Sequence, residues 1–164
     1  MPLESPSYGF AFDSKANDYK LVRVTVQKTE LLRLKSNSWR SVLMTDHSTS
    51  VMKEVGILVD VWSSAVTKNA LRWIGLRSRV NKKVIVAFDL VNEEFREIKI
   101  PDHPNSGGLF CTKHHHCCVF QDCLSMTISD RFCFDSKIEV WVMKEYGVEG
   151  SWTKQYSFST SMSL

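Results

Sequence analysis

The sequence predicts an all-β fold of antiparallel, β-propeller-type repeats that form an incomplete or open assembly. The first observation behind this prediction is a repeat, because residues 70–73, 86–90 and 95–98 recur in altered form at 123–126, 139–143 and 152–153. Residues 32–34 and 39–40 form a third, partial copy. Large aromatic residues at 39, 95 and 152 give a period in the fifties. Short strands with such a period are typical of propellers, in which each small sheet buries its face on the next.

The second and third observations are strand-forming runs and the short polar segments between them. Runs of β-branched and aromatic residues predict strands over 21–26, 55–61, 83–88 and 137–143. The turn-forming segments are 13–18, 35–38 and 91–94. Such short connections favour antiparallel hairpins between consecutive strands. No segment shows the periodicity of a convincing amphipathic helix.

The predicted strand over 137–143 is largely apolar on both faces, which favours a sheet packed between two others. Ile138, Val140 and Val142 share one face, and Glu139, Trp141 and Met143 share the other. We expect the large aromatic side chains at repeat positions to lie in the core rather than on a binding surface. These residues are Trp39, Trp73, Phe88, Phe95, Trp141 and Trp152.

The chain is long enough for one domain with a hydrophobic core. We predict a flexible N-terminal segment over 1–7, a domain of about three β modules over 8–158, and a tail over 159–164. Within the domain, residues 101–116 contain two prolines, two adjacent glycines and four histidines. This composition predicts a long loop between repeats.

Composition argues against several classes of protein. The formal charge of +3 is small and the basic residues are interspersed with acidic ones, which disfavours a nucleic-acid-binding protein. No apolar run approaches the roughly 18 residues of a membrane span. Cysteines occur at 111, 117, 118, 123 and 133. Their odd number and the polar N-terminus predict reduced thiols and a cytoplasmic location, with the nucleus as the alternative.

Residues His114, His115, His116, Cys117 and Cys118, with His103, Cys111 and Cys123 nearby, invite a zinc interpretation. Adjacent strand residues point to opposite faces, however, and no paired ligand motif is present. We therefore predict no metal and no cofactor, and a His-rich loop that leads into a buried strand.

Motifs for catalysis are missing from the sequence. It contains no nucleophile elbow and no Cys-His pair of assignable geometry, so we predict no enzymatic activity and no catalytic residues. Asp13, Asp18 and Asp89 lie at turns and strand ends, where we expect them to accept hydrogen bonds from local backbone amides.

Two segments are candidates for contact with a partner. Arg77, Arg79, Lys82 and Lys83 cluster at a predicted hairpin tip. His103, His114 and His115 belong to the predicted loop over 101–116. Loops commonly carry recognition residues, so both segments are predicted to bind a partner protein.

Residues 8–24, YGFAFDSKANDYKLVRV, resemble the opening motif GFGYDSKSNDYKVVRI of the plant F-box associated domain. Further segments are similar to the same family in the same order: 37–40, 69–74, 88–90 with 93–98, and 140–148 with 151–154. The sequence departs from the family's usual GALHWI, since residues 69–74 read NALRWI. On these motifs the chain is identified as a member of this Kelch-related family, most similar to the S-locus F-box proteins.

The resemblance implies the substrate-recognition region of an SCF-type E3 ubiquitin ligase, in which loops hold a target protein and other subunits perform catalysis. In the S-locus branch the target is an S-RNase, recognised in pollen during self-incompatibility. The F-box is expected to be absent, so a Skp1-like adaptor would bind only if an F-box were supplied. Two alternatives stay open: a stand-alone Kelch-type module that binds a ligand or metal, and a truncated, nonfunctional product.

Overall fold

A computed structural model describes residues 6–25, 27–43, 45–57, 65–67, 69–77, 82–102, 113–130 and 135–161. These residues form three antiparallel sheets, one α-helix and a short 3-10 helix, which confirms the prediction of an all-β fold with propeller-type repeats. Three sheets are fewer than the four blades of the smallest propellers, so the described part of the chain is incomplete as a propeller. The chain divides into two compact units, residues 1–99 and 100–164.

The first unit contains two sheets. The first sheet has the order β1-β2-β3-β4, formed by β1 (Ser7–Asp13), β2 (Asp18–Val24), β3 (Thr29–Arg33) and β4 (Ser38–Ser41). The second sheet has the order β5-β7-β8-β9, and β6 also pairs with β7. Its strands are β5 (Val55–Ile57), β6 (Ala65–Thr67), β7 (Ala70–Arg77), β8 (Lys82–Asp89) and β9 (Glu94–Lys99).

Three hairpins of the first unit reverse through turns of four residues, 14–17, 34–37 and 90–93. The last residue of each turn has a positive φ: 48° at Asn17, 47° at Asn37 and 59° at Glu93. Asparagine tolerates this left-handed conformation better than most residues. The predicted turns therefore lie where the polar segments of the sequence placed them.

Aspartates begin two of these turns and satisfy their backbone amides. Asp13 Oδ1 accepts hydrogen bonds from the N–H groups of Lys15 (2.9 Å) and Ala16 (3.1 Å). Asp89 Oδ1 accepts them in the same way from residues 91 (2.8 Å) and 92 (3.0 Å). The predicted role of Asp13 and Asp89 is thus confirmed. Asp18 instead accepts a bond from the Lys35 N–H (3.3 Å), which belongs to the neighbouring turn rather than to its own.

The two sheets of the first unit pack face to face around a hydrophobic core. Its buried members are Ala11, Val22, Val24, Leu31, Val42, Val51, Leu71, Trp73, Val84, Val86, Phe88, Leu90 and Phe95. The predicted burial of Trp73, Phe88 and Phe95 is confirmed. Trp39 is 46% exposed, so its predicted core position is wrong. Its side chain lies on the face of the first sheet that points away from the second.

One helix of the first unit was not expected from the sequence. Helix α1 (Asp46–Glu54) follows Thr45, whose hydroxyl accepts a hydrogen bond from the N–H of Ser48 (3.2 Å) as an N-cap. The buried Ser48 hydroxyl accepts a second bond from the N–H of Phe95 in β9 (2.9 Å). This tertiary contact and the cap stabilise a helix too short and polar to show a clear periodicity. Among the described residues, no helix has the length and apolar character needed to cross a membrane.

The second unit consists of the third sheet, with the order β10-β11-β12-β13. Its strands are β10 (Lys113–Phe120), β11 (Cys123–Asp130), β12 (Asp135–Met143) and β13 (Trp152–Ser161), and the 3-10 helix Glu149–Ser151 precedes β13. The pairing register of β12 with β13 shifts at a β-bulge between Val140 and Trp141. The repeat predicts Trp141 and Trp152 in the core. Both side chains are only half-buried.

Strand boundaries in this unit differ from the expected loop and tail. Residues 113–116 pair with β11, so the predicted loop over 101–116 ends earlier than expected, and 103–112 lie outside the described residues. Strand β13 continues through 159–161, the first half of the predicted tail. Residues 1–5 and 162–164 also lie outside the described residues.

Candidate interaction surface

The hairpin of β7 and β8 brings three of the predicted partner-binding residues together. Arg77 lies directly opposite Lys82, and Lys83 lies opposite Leu76 on the other face. The Arg77 guanidinium is 2.5 Å from a carboxylate oxygen of Glu97 in β9. Lys82 is exposed and Lys83 is half-buried. The fourth predicted residue, Arg79, lies outside the described residues.

The predicted histidines lie in a strand rather than in a loop. His114 is opposite Ser129 and His115 is opposite Ile128, so the two half-buried imidazoles point to opposite faces of the third sheet. They belong to the second unit and the basic hairpin to the first. His103 lies outside the described residues. The predicted loop location of His114 and His115 is wrong because the register with β11 continues to Lys113.

Metal-binding geometry is not found in the part of the chain that the structure describes, where no three His, Cys, Asp or Glu residues are grouped to hold an ion. Cys117, Cys118 and Cys123 are free thiols there. The predicted Cys-Cys-Val-Phe strand is present in β10, but only Cys117 is buried in it. Burial raises the pKa of the Cys118 thiol, so this thiol is less readily ionised and less reactive than an exposed one.

A buried ion network joins the two sheets of the first unit. The Lys20 ammonium lies 2.7 Å from Asp13 Oδ2 and 2.6 Å from the backbone oxygen of Leu90. It is also 3.3 Å from Glu93 Oε1, which the Arg40 guanidinium contacts as well. These contacts occupy the three hydrogens that an ammonium group can donate. We therefore assign this buried lysine a structural role, since removal of one partner would leave the other charge buried and unpaired.

The carboxylates of this network keep their charge. Burial by itself raises the pKa of Asp13, but the hydrogen bonds from Lys20 and from turn amides lower it to below its usual value. Burial likewise raises the pKa of Glu93, and the contacts with Arg40 and Lys20 lower it further than burial raises it. Buried charges are tolerated when they are paired and hydrogen-bonded in this way.

The third sheet holds a buried carboxylate of its own. Glu139 Oε1 lies 3.0 Å from the ammonium of Lys137 and 3.2 Å from that of Lys154, and its Oε2 accepts a bond from the Trp141 indole N–H (3.1 Å). Burial opposes ionisation, yet these contacts lower the pKa of Glu139 to about 2. These partners belong to β12 and β13, so the cluster connects the two strands near the β-bulge in their pairing.

Five aromatic side chains form an exposed surface that is not among the predicted sites. They lie on the face of the first sheet opposite the core, and we call them the outer aromatic face: Tyr8, Phe10, Phe12, Tyr19 and Trp39. The sequence pattern that indicates this face is the alternation within β1, where Tyr8, Phe10 and Phe12 alternate with Gly9 and Ala11. The small residues allow the inner face to approach the second sheet closely, and the large ones remain outside.

The outer aromatic face is ordered by ring contacts. The rings of Phe10 and Tyr19 are stacked with centroids 5.4 Å apart, and Phe12 lies 5.1 Å from Tyr19 at a tilt. The Arg23 guanidinium lies over the Trp39 ring, 5.3 Å from its centroid. The surface is therefore a connected patch that crosses the sheet from β1 to β4.

Comparison with known families decides what kind of domain these sheets form. A family model of the F-box associated beta propeller domain matches residues 3–164, which is nearly the whole chain. The chain belongs to this family. The resemblance carried by residues 8–24 is thereby confirmed at the level of the family.

Several F-box proteins of Arabidopsis thaliana are similar to this F-box associated domain. The chain is 27% identical over 179 residues to F-box protein At3g07870, an alignment that covers 93% of this chain and 40% of that protein. It is 27% identical to F-box protein CPR1, covering 96% and 41% respectively. It is 26% identical to F-box/kelch-repeat protein At3g23880, covering 92% and 39%. The chain thus spans about two fifths of the length of these relatives.

The opening motif of the F-box associated domain has a structural explanation in this chain. Residues 8–24 form the hairpin of β1 and β2, and they include Asp13, Asn17 and Lys20. Asp13 and Asn17 form the turn, and Lys20 connects it to the second sheet. In this chain, the residues that resemble the opening motif therefore form the first hairpin turn and its contact with the second sheet.

Proposed function

We propose that this chain is the substrate-recognition region of an SCF-type E3 ubiquitin ligase. Its task is to hold a target protein while other subunits transfer ubiquitin. The observation that carries the proposal is the match of the F-box associated beta propeller domain over residues 3–164, together with relatives that are named F-box proteins. In this role the chain needs no catalytic residues of its own, because other subunits transfer the ubiquitin.

The proposed contact residues for the target are the basic residues of the β7–β8 hairpin. Lys82 is exposed at the end of this hairpin, whereas Arg77 is engaged with Glu97. Lys82 therefore offers a positive charge to an acidic patch on a partner without breaking an ion pair of the fold. We include Arg79, Lys83, His103, His114 and His115 in the proposal on the basis of the sequence alone.

The finer proposal is that the target is an S-RNase recognised in pollen, and that recognition occurs in the cytoplasm. It is supported by the similarity of residues 8–24 to the S-locus branch. A Skp1-like adaptor is proposed as a partner only when an F-box is present in the same polypeptide. No contact with nucleic acid or membrane is part of the proposal.

Co-purification tests this function directly. The chain and a version fused to an F-box are expressed in pollen, and retained proteins are identified by mass spectrometry. We expect both versions to retain the same target, and only the fusion to retain the adaptor. The target is then purified, and its dissociation constant is measured with the chain. Absence of any shared, saturable partner would contradict the proposal and would favour a nonfunctional product.

A charge reversal tests the proposed contact residue. Lys82→Glu should weaken binding of the purified target about tenfold or more, because it replaces attraction by repulsion at the contact. Lys144→Glu is the matched control, since Lys144 is exposed in the second unit and the change in net charge is identical. Equal affinities of the two variants would exclude the hairpin as the contact site.

A further inference from the structure

We propose that the charged end of the β7–β8 hairpin selects an acidic segment of the target protein, and that Glu97 of β9 competes with this segment for Arg77. This deepens the proposed function and rests on it, since it names the chemistry of the target at the hairpin. Three features of the molecule carry the proposal: the strand register, the sheet that covers this side of the hairpin, and the ion pair between Arg77 and Glu97.

The strand register places four charged side chains on one side of the second sheet. Arg77 is directly opposite Lys82, and Glu97 and Lys99 pair with residues of β8 that share the side of Lys82. Opposed residues share a face, and alternate residues of a strand return to it. In β7, β8 and β9, which the structure describes in full, this side therefore carries three cations and one carboxylate. An acidic segment would meet a surplus of positive charge there.

This side of the second sheet is the one that packs on the first sheet. Its middle positions include Trp73, Val84 and Val86, which are buried in the core of the first unit. The charged residues lie at the margin of that contact, and Lys82 and Lys99 are exposed with the first sheet in place. Their exposure therefore does not depend on whether a further sheet packs on the other side.

Glu97 shows which chemical group this margin accepts. Its carboxylate lies 2.5 Å from the guanidinium of Arg77, although the two residues belong to strands on either side of β8. Gly75, which precedes Arg77 on the same side of β7, has no side chain to obstruct this reach. A planar guanidinium matches the geometry of a carboxylate. Glu97 therefore takes the place at Arg77 that an acidic group of the target would take.

The ion pair is accessible to a competing carboxylate. The side chain of Arg77 is 37% exposed and that of Glu97 is 18% exposed. Ion pairs at this level of exposure contribute little free energy, so another carboxylate can replace one partner at low cost. Removal of the Glu97 charge takes one competing carboxylate away from Arg77 and should raise the affinity for an acidic segment. Neutralisation of Lys82 removes attraction and should lower it.

Fluorescence anisotropy of the 164-residue chain with a labelled peptide of alternating glutamate and serine tests the proposal. At low ionic strength, where surface charges are least screened, we expect binding of this peptide and not of a version with glutamine in place of glutamate. Glu97→Gln should tighten binding about two- to fivefold, and Lys82→Gln should weaken it by a similar factor. The matched controls Glu145→Gln and Lys144→Gln change exposed residues of the second unit and should leave the affinity unchanged.

A double-variant cycle shows whether the gain in affinity acts through Arg77. In the Arg77→Gln background, Glu97→Gln should no longer tighten binding, because the group for which it competes is gone. A gain that persists there, or an equal gain from Glu145→Gln, would overturn the proposal. Thermal unfolding establishes that each variant is folded. If Arg77→Gln is not, the exposed pair Lys82→Gln and Lys144→Gln decides, and equal affinities of these two variants would overturn the proposal.

The acidic selectivity and the proposed function fail in different measurements. A chain that retains a target in the co-purification but does not bind the glutamate peptide would overturn the acidic selectivity and leave substrate recognition intact. A chain that retains no target would contradict the proposed function, whatever the result with the peptide.

Discussion

The Lys20 ammonium and the Asp13 carboxylate lie 2.7 Å apart, with side chains only 2% and 3% exposed. Asp13 ends β1 and accepts two amide hydrogen bonds in its turn, while Lys20 reaches from β2 to the carbonyl of Leu90. This pair therefore connects a local turn with the contact between two sheets. Loss of one member leaves the other charge buried without its partner.

Replacement of Lys20 by methionine should destabilise the chain by about 3 to 5 kcal/mol, the cost of breaking a buried ion pair from one side. Asp13 and Glu93 would then remain in a low-dielectric environment with fewer donors. Urea unfolding followed by circular dichroism measures the effect. Lys15→Met, at an exposed position of the adjacent turn, is the control and should change the free energy of unfolding by less than about 0.5 kcal/mol. Similar values for both variants would contradict the structural role of Lys20.

Addition of one methyl group at Gly9 should destabilise the contact between the first two sheets. A Cβ atom there would lie 2.7 Å from Leu71 Cδ1 and 2.8 Å from Trp73 Cζ2. The Trp73 ring is buried and its N–H donates to the carbonyl of Tyr8, so it has little freedom to move. We expect Gly9→Ala to cost about 1 to 3 kcal/mol.

Thermal unfolding measures this cost as a decrease in Tm of roughly 2 to 10 °C. Gly150→Ala is the matched control, since no atom lies within 4 Å of the added carbon there. An unchanged Tm for Gly9→Ala would show that the two sheets do not approach each other as closely as the structure indicates.

Acid should weaken the second unit through Glu139. The pKa of its carboxyl is about 2 in the folded chain, below its ordinary value of 4.5, because Lys137, Trp141 and Lys154 hold the ionised form against the effect of burial. A carboxyl group whose pKa is lower in the folded chain than in the unfolded chain stabilises the fold at pH values above its unfolded-state pKa. That stabilisation is lost progressively as the pH falls from about 4.5 to about 2.

Replacement of Glu139 by glutamine should remove about 1 to 3 kcal/mol at neutral pH and flatten the pH dependence of stability between about pH 4.5 and 2. Free energies of unfolding of both proteins, measured across this range, give the comparison. Glu145→Gln changes an exposed residue of the following turn and should preserve the wild-type slope. Equal slopes for wild type and Glu139→Gln would show that this carboxylate is not held by its neighbours.

The correct sequence predictions concern interactions between residues that are near one another in the chain. The adjacent polar residues predict turns at Asp13 and Asp89, and both carboxylates accept hydrogen bonds from amides two and three positions ahead. The strand over 83–88 was recognised from its β-branched residues. Turn chemistry and strand propensity act over a few residues, so one sequence is enough to read them.

The wrong predictions concern burial and pairing, which depend on elements that are distant in the sequence. Trp39 occupies the same repeat position as Phe95, but Phe95 is buried and Trp39 is 46% exposed. The repeat identifies equivalent positions in each sheet, and it does not say which face another sheet covers. The Lys20 network was missed for a similar reason, since its partner Glu93 lies 73 positions away. The predicted His-rich loop extends too far, to residue 116. Residues 113–116 belong to β10 because they pair with β11, and this pairing is not visible in the local sequence.

Reconstitution of ubiquitin transfer is the measurement that tests the central claim most directly. The chain is fused to an F-box, assembled with the Skp1-like adaptor and the remaining ligase subunits, and incubated with the target that the chain retains. We expect ubiquitin to appear on this target with the fusion, and not with the unfused chain or the F-box alone. A fusion that assembles with the adaptor but neither binds nor modifies any target would contradict a role in substrate recognition.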